Sequence, residues 1–455
     1  MTNVQKIAHL ICTRDADGVS QLTHYHPGVG TSGNWFQKLM GGVAGAGLDQ
    51  NIIDAYRFIV LNYEEGDLNF LFGFSRGAYT ARSLAGFIVN CGILKKEFIG
   101  KLNEAFAFYR DRTAATHPNS EAALKFKAAY SHPPAVEFIG VWDTVGDLGI
   151  PIQPLIWLDR DKYKFHDTEL SSIVNYAFHA LAIDEHTKIF NETLWQRSAN
   201  GKLRKERAIE KDQVIEQVWF PGAHCNIGGG YVDTGLSDAT LEWMIGNAEK
   251  AGLAFNYPLP PDIKPDIING ILRNSCTFWW QASQYFLPFY RTIFVQDSTF
   301  IDQSVTDDAY LRPDYPAPNI PPLVPEVQRL APGQEIILTI QAAQPYSFAM
   351  LSVEAGEQYG FSCDPKQRWH DAWVSAGPGG YFNPLSMLAG LRLKGAPCFC
   401  LCGVYECNDA TAFPIGAGTS ITAVQTGMIS FFANDTPGFY FNNKGSLQVT
   451  IIRTA

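Results

Sequence analysis

Residues 69–78 read Asn69-Phe70-Leu71-Phe72-Gly73-Phe74-Ser75-Arg76-Gly77-Ala78. An apolar run ends in this glycine-flanked serine, and apolar residues at helical spacing follow it as far as Ile88. The pattern predicts a strand that turns into a helix through G-x-S-x-G, the setting of a nucleophile elbow. Glycines allow a sharp turn that holds the Ser75 hydroxyl clear of the sheet. A serine in an ordinary glycine-rich turn is the alternative, but the flanking strand and helix favour a nucleophile.

A serine nucleophile needs a general base and a carboxylate that orients the base. In one large class of serine hydrolases these partners follow along the chain in the order Ser, Asp or Glu, His, usually on loops at the C-terminal ends of strands. His224 follows an apolar strand and is the candidate base. Two acids compete for the third role, because Asp143 ends the strand Val136–Trp142 and Asp184 ends the strand Tyr176–Ile183. Either acid could instead form a turn. Asp143 is favoured, and Asp184 stays open.

Alternation of strands and helices predicts a mostly parallel sheet with helices on both faces. Within it we expect a short strand at Gln21–Tyr25 and a helix capped by Ser237. Six prolines between Pro313 and Pro325 predict a stiff linker. Beyond them, short strands between glycine turns predict an all-β sandwich. The expected domains are therefore a catalytic domain at 1–312, a linker at 313–325 and a β-sandwich at 326–455.

Composition narrows the class of protein. The chain has 455 residues, 46% hydrophobic and 18% charged, which is typical of a soluble globular protein. Its net charge of −10 argues against nucleic acid as a partner. No stretch is long and apolar enough for a transmembrane segment, and the N-terminus lacks a signal-peptide core. Nine scattered cysteines favour a reducing compartment, so we expect a cytoplasmic protein or one exported without a signal peptide.

Several motifs in order resemble the α/β-hydrolase family that includes type VI secretion phospholipase effectors. The resemblance covers roughly residues 2–250 and rests on Tyr25–Thr31, Gly73–Ala78, Val141–Gly146, Ala182–Glu185 and Trp219–Tyr231. It implies an esterase or phospholipase with a Ser75, Asp143 and His224 triad and no cofactor for catalysis. The chain departs from the family in two ways. It starts after the usual strand ending in Asp-Gly-Thr, and Asn226 occupies a position that is commonly Asp.

The C-terminal half has its own resemblance. The segments Phe432–Gly438 and Asn442–Ser446 are similar to the calcium and sugar loop of galactose-binding lectins of the PA-IL type. The resemblance implies calcium held by Asp435, Asn442 and Asn443, with glycans as partners. Calcium prefers oxygen ligands, which these side chains supply. An Asx-rich hairpin turn is the alternative.

Four cysteines, Cys398, Cys400, Cys402 and Cys407, suggest zinc only weakly, because residues two apart on a strand share one face. A buried strand face lined by cysteine is favoured instead.

Two functions follow from the sequence. The leading hypothesis is a serine esterase or phospholipase that acts on lipid or other esters, with an appended glycan- or calcium-binding β-sandwich. The alternative is a glycan-binding protein whose hydrolase half is inactive, because the first strand and its oxyanion loop are absent from the sequence. The order Ser75, Asp143, His224 favours the enzyme.

Overall fold

The structure is a computed structural model. It describes residues 1–27, 45–111, 113–145, 170–171, 173–185, 194–195, 213–273, 291, 299–302, 326–347, 349–383, 390–406, 408–436 and 440–454. The chain divides into two compact units, Met1–Phe286 with Gln296–Tyr315 and Leu287–Val295 with Pro316–Ala455. The linker predicted at 313–325 lies outside the described residues, so the domain boundaries stay a prediction.

The first unit is a mixture of helices and strands. Its described helices are α1 (Asn3–Leu10), α2 (Gly45–Asn62), α3 (Arg76–Cys91), α4 (Leu102–Arg110), α5 (Glu121–Tyr130), α6 (His224–Gly228) and α7 (Gly235–Lys250), with 3-10 turns at Lys96–Lys101 and Ala114–Thr116. Its described strands are β1 (Phe70–Phe74), β2 (Ile93–Leu94), β3 (Ser131–His132), β4 (Val136–Trp142), β5 (Val174–Ala182), β6 (Val214–Phe220) and β7 (Thr299–Ile301). None of the helices described is both long and apolar enough to cross a membrane.

Five strands form one parallel sheet in the order β1-β4-β5-β6-β7. Because successive side chains of a strand point to opposite faces, the strands contribute to two separate cores. Ile139 and Val141 of β4 pack with α2 and α3, whereas Phe138 and Trp142 pack with α1 and α7. Helices therefore cover both faces of a parallel sheet, as the alternation in the sequence predicts.

Two local predictions are wrong. No strand forms at Gln21–Tyr25. The Gln21 backbone N–H donates to the Thr13 carbonyl at 2.9 Å, and the Gln21 side-chain amide bonds to further main-chain groups. It donates to the carbonyls of Cys12 (2.8 Å) and Ala254 (2.9 Å) and accepts from the Ala254 N–H (2.9 Å). Ser237 lies inside α7 rather than at its cap, since the helix follows Thr234, whose carbonyl accepts the Ser237 hydroxyl at 3.0 Å.

The second unit is built of β-strands. Those described are β8 (Glu326–Arg329), β9 (Glu335–Gln341), β10 (Ala349–Val353), β11 (Gln358–Ser362), β12 (Trp369–Asp371), β13 (Val374–Ala376), β14 (Leu401–Tyr405), β15 (Phe413–Pro414), β16 (Gly418–Thr422), β17 (Gly427–Ala433), β18 (Asn443–Lys444) and β19 (Ser446–Arg453). Short 3-10 turns lie at Asp409–Thr411 and Tyr440–Asn442.

Two sheets of this unit share one core. Their strand orders are β15-β14-β17-β10-β8 and β16-β11-β19-β9. Leu351 and Phe431 of the first sheet and Phe361 and Val449 of the second lie in the same buried cluster. A third sheet, β13-β12-β18, pairs Asp371 directly with Asn443.

Cys402 of β14 and Cys400, just before that strand, follow the strand alternation. Cys400 and Cys402 share one buried face with Phe432, whereas Phe399 and Leu401 belong to the main core. The seven cysteines among the described residues are free thiols. The prediction of a buried, cysteine-lined strand face is confirmed for these two residues, and Cys407 lies outside the described part of the chain.

Candidate active site

Ser75 lies in the tight turn between β1 and α3. Its φ of 58° and ψ of −120° are unusual for a residue with a Cβ and cost about 1–3 kcal/mol. A Cβ on Gly73 would lie 2.3 Å from the carbonyl oxygen of Gly77, so the turn requires glycine there. The Ser75 N–H donates to the Trp142 carbonyl at 3.1 Å, which ties the turn to β4. The predicted change from strand to helix at the serine is confirmed.

His224 and Asp143 meet although 81 residues separate them in the sequence. His224 Nδ1 lies 2.5 Å from Asp143 Oδ2, and both side chains are buried. Asp143 has a positive φ of 40°, and its second oxygen, Oδ1, accepts the N–H of Ala182 at 3.0 Å. The carboxylate is therefore fixed by the end of β5 while it contacts the imidazole.

The imidazole of His224 also lies against the strand that leads to Ser75. The rings of Phe74 and His224 are 4.6 Å apart between centroids. On the same side, a Cβ on Gly228 would lie 2.0 Å from the Phe74 ring, so α6 approaches β1 as closely as glycine permits. Phe74 is thus both the neighbour of Ser75 in sequence and the packing surface for His224.

Asp184 has a different role from Asp143. Its Oδ2 accepts the N–H of Gly222 at 2.7 Å, and its own N–H donates to the Gly222 carbonyl at 3.1 Å. Gly222 has a φ of 121°, which glycine adopts readily. Of the two acids that the sequence leaves open, the structure brings Asp143 to His224 and Asp184 to the loop before it.

Asn226, the departure from the family pattern, joins two loops. Its Oδ1 accepts the N–H groups of Ala223 (3.3 Å) and Arg273 (3.2 Å), and its Nδ2 donates to the Ile271 carbonyl at 2.9 Å. These contacts give it a part in holding the loop before α6.

Ser75 lines a cavity of about 1340 Å³ in the first unit. Its hydroxyl oxygen is buried and has no hydrogen-bond partner among the residues that the structure describes. Three helices supply apolar side chains to the cavity wall: Ile7 and Ile11 of α1 and its C-terminal end, Leu48, Phe58 and Ile59 of α2, and Leu84 of α3. The cavity is larger than the roughly 300–1,000 Å³ of typical small-molecule sites.

A second group of polar side chains lies in the other unit. Ligand atoms of Asp371, Cys398 and Asp435 fall within 4.8 Å of one another. Asn443 donates to Asp435 Oδ2 at 3.0 Å, and Asn442 donates to Asp371 Oδ1 at 3.3 Å. The structure therefore brings together the three predicted residues Asp435, Asn442 and Asn443, and it adds Asp371.

The two carboxylates of this group accept hydrogen bonds, whereas two amide oxygens beside them accept none from the residues described. Burial, together with the negative charge of Asp371, raises the pKa of Asp435 to about 6 against the lowering effect of the Asn443 amide. The side-chain oxygens of Asn442 and Asn443 are buried and accept no hydrogen bond from any residue in the described part of the chain. The amides of Asn442 and Asn443 thus contact the two carboxylates through their nitrogens and, within the described ranges, keep their oxygens unused.

Comparison with known proteins identifies the first unit. The family model for the type VI secretion phospholipase effector, Tle1-like, catalytic domain, matches residues 1–247, more than half of the chain. The chain belongs to this family. The resemblance to type VI phospholipase effectors drawn from the sequence motifs is confirmed, and membership supports a lipase-like hydrolase function.

Individual relatives are more distant. An uncharacterized protein of Saccharomyces cerevisiae is 30% identical over 211 residues, which are 42% of this chain and 29% of that protein. The chain thus matches less than a third of the length of this curated relative. Solved structures that are similar include a Tle1 effector bound to the VgrG spike of the type VI secretion system, at 22% identity over 50% of this chain and 40% of the other, with a TM-score of 0.28. They also include a PllA-like lectin, the N-terminal domain of EclA, at 15% identity over 26% of this chain and 94% of the other, with a TM-score of 0.20.

Proposed function

We propose that the first unit is a serine esterase of the α/β-hydrolase type that cleaves lipid esters through Ser75, His224 and Asp143. The observation that carries the proposal is the buried 2.5 Å contact between His224 Nδ1 and Asp143 Oδ2, with the His224 ring packed on Phe74, the residue before Ser75. A carboxylate at Nδ1 keeps the proton on that nitrogen, so Nε2 can accept the proton of the serine hydroxyl. Family membership is the independent support.

The reaction proposed is acyl transfer in two halves. Ser75 Oγ attacks the ester carbonyl while His224 takes the hydroxyl proton, and the carbonyl electrons form an oxyanion. The backbone N–H of Arg76, at the N-terminus of α3, is one donor to this oxyanion. Collapse breaks the ester C–O bond, and the leaving alcohol takes the proton from the imidazolium. Water then attacks the acyl-serine with the same base, which releases the acid and restores Ser75.

The substrate proposed is a phospholipid. The apolar wall of the cavity fits an acyl chain, whose burial contributes about 0.8 kcal/mol for each CH₂ group. Arg76 lines the same cavity next to Ser75, and its guanidinium can pair with a phosphate through two hydrogen bonds. One cavity would then offer an apolar wall to the acyl chain, Ser75 to the ester carbonyl and Arg76 to the phosphate.

The test uses phospholipid vesicles and a matched set made of diether lipids, which lack the ester carbonyl. We expect the purified chain to release fatty acid from the ester lipids and nothing from the diether lipids. Release of a head group from the diether lipids would contradict ester chemistry. A folded protein that hydrolyses no ester would favour the alternative of an inactive hydrolase half.

The second unit supports a separate proposal, the binding of calcium by Asp435, Asp371, Asn442 and Asn443. The specific observation is that two amide side chains contact a close pair of carboxylates while their own buried oxygens accept no hydrogen bond from the described residues. Calcium takes about six to eight oxygen ligands, so a cation there would satisfy these oxygens and offset the repulsion between the two acids. The thiol of Cys398 suits calcium poorly and is left out of the ligand set. Glycan binding stays a prediction.

Calcium should raise the melting temperature of the full chain. Two carboxylates make a weak site, with a Kd on the order of 10⁻⁴–10⁻³ M, so millimolar calcium should stabilise the fold by about 1–2 kcal/mol relative to chelator. Asp435→Ala should erase this difference, whereas Asp364→Ala, at an exposed carboxylate of the same unit, should retain it. An unchanged wild-type melting curve would mean that the loop is an ordinary polar turn.

The calcium effect should also depend on pH with a definite sign. The pKa of Asp435 in the fold, about 6, lies above that of about 3.9 for an unfolded Asp. Ionising it therefore destabilises the fold as the pH rises from about 4 to about 6. Because calcium requires the ionised form, its stabilising effect should be present at about pH 7.5 and lost at about pH 5. An equal calcium effect at both pH values would exclude Asp435 as a ligand.

A further inference from the structure

The segment that follows β5 holds the loop that carries His224. The Ile183 N–H donates to the Phe220 carbonyl at 3.1 Å, which continues the pairing of β5 with β6. Asp184 then forms two hydrogen bonds with Gly222, as described above. Ile183 and Asp184, which follow β5, thus each form hydrogen bonds with the segment that leads from β6 to α6. The next residue along the chain is Glu185.

Glu185 is fully buried, and its carboxylate contacts the main chain of His224. Oε2 of Glu185 accepts the backbone N–H of His224 at 3.1 Å. Burial of a carboxylate opposes folding unless the group is bound by donors, so such a residue is unusual in a position with only a packing role. Burial, followed by the charges of Glu185 and Asp143, raises the pKa of the neighbouring Cys225.

We propose that Glu185 is a positioning residue for the proposed hydrolase. It holds the main chain of His224, while Asp143 holds Nδ1 of the ring. These two contacts together restrict the position of the His224 backbone and the rotation of its imidazole. This inference rests on the proposed function, because only a base that must meet a nucleophile needs its ring fixed in this way.

The size of the expected effect follows from geometry. A displacement of about 1 Å in a reacting group can reduce the rate by about 10². Without Glu185 the N–H of His224 loses its acceptor, and the first turn of α6 can move relative to β5. The carboxylate of Asp143 would remain, because Ala182 holds it independently. We therefore expect a loss of rate without a loss of substrate binding.

Three variants separate positioning from a general role in folding. Glu185→Ala removes the acceptor, Glu185→Gln keeps a side-chain oxygen that can accept the same N–H, and Asp184→Ala removes the neighbouring anchor at Gly222. We expect Glu185→Ala to lower kcat by about 10² with KM nearly unchanged. Glu185→Gln should stay within about threefold of the wild type. Compared with Glu185→Ala, Asp184→Ala should lower the melting temperature more and kcat less.

Two kinetic outcomes would overturn the proposal. The first is a kcat for Glu185→Ala close to that of the wild type. The second is a kcat for Glu185→Gln as low as that of Glu185→Ala, which would mean that the acceptor oxygen is not what matters. Glu185 would also have only a structural role if kcat and the melting temperature fell in the same proportion in Asp184→Ala and in Glu185→Ala.

A spectroscopic measurement does not depend on hydrolysis. The Nδ1 proton of an imidazole in a short hydrogen bond to a carboxylate resonates far downfield in proton NMR. We expect this resonance in the wild type and in Glu185→Gln, and we expect its loss or displacement in Glu185→Ala. If the wild type is inactive while the resonance behaves in this way, positioning stands and the proposed hydrolysis fails. If Glu185→Ala keeps both kcat and the resonance, hydrolysis stands and positioning fails.

Discussion

Replacement of Ser75 by alanine should abolish ester hydrolysis, with a loss in kcat of about 10⁴–10⁶-fold. Alanine has no atom that can form the acyl intermediate, and removal of a serine nucleophile leaves only binding and oxyanion stabilisation. The fold should survive, because the hydroxyl makes no hydrogen bond among the described residues. Rates on phospholipid vesicles and melting temperatures of the two proteins would be compared.

Ser83 offers the matched control on the same helix. It is buried, lies about two turns beyond Ser75, and does not line the cavity. Ser83→Ala therefore makes the same chemical change in α3 without touching the proposed site and should retain the wild-type rate. Equal activity in Ser75→Ala and Ser83→Ala would exclude Ser75 as the nucleophile.

The second large effect is expected at Asp143. Asp143→Asn should lower kcat by about 10⁴, because an amide nitrogen facing Nδ1 shifts the imidazole proton to Nε2. In that tautomer His224 cannot accept the proton of Ser75. The N–H of Ala182 can still bond to the side-chain oxygen of asparagine, so the backbone should keep its position. Single-turnover rates at saturating substrate would measure the effect.

Asp184→Asn is the matched control, since Asp184 also follows a strand of the parallel sheet. Its carboxylate accepts from Gly222 rather than from His224, and an asparagine oxygen can accept the same N–H. We expect a loss of less than about tenfold. If Asp184→Asn were the more damaging change, the orienting role would pass from Asp143 to Asp184.

The sequence was sufficient for features that are local. Ser75 could be predicted because the glycines, the preceding strand and the following helix all lie within a few residues of it. The strand Val136–Trp142 could be predicted with its observed bounds, because Glu137 is the only charged residue in an otherwise apolar run. The strand predicted at Gln21–Tyr25 does not form, and residue periodicity could not show that the Gln21 side chain bonds to the main chain of Cys12 and Ala254.

Features that depend on pairing between distant strands could not be predicted. Asp143 and Asp184 are equivalent in sequence, since each ends a parallel strand. What separates them is the positive φ of Asp143 and the bond from Ala182, which direct its carboxylate toward His224. The sequence of the loop around Asp435 could not predict that Asp371 lies beside it, because the pairing of β12 with β18 places Asp371 opposite Asn443.

Glu185 illustrates the same limit. The sequence marks Ala182–Glu185 as part of a motif shared with the family, but it does not say which atom each side chain contacts. The role proposed for Glu185 depends on a backbone N–H of His224, and main-chain partners leave no trace in residue type. Only the pairing of the segment after β5 with the loop before α6 reveals it.

The central claim, that Ser75 is a nucleophile activated by His224, can be tested without knowledge of the natural substrate. A fluorophosphonate probe forms a covalent bond only with a serine that has an adjacent base, so the labelled protein would be digested and the modified residue mapped by tandem mass spectrometry. We expect one adduct, on the peptide that contains Ser75, and greatly slowed labelling in a His224→Ala variant. An unlabelled wild-type protein, or an adduct on another residue with Ser75 unmodified, would contradict the claim.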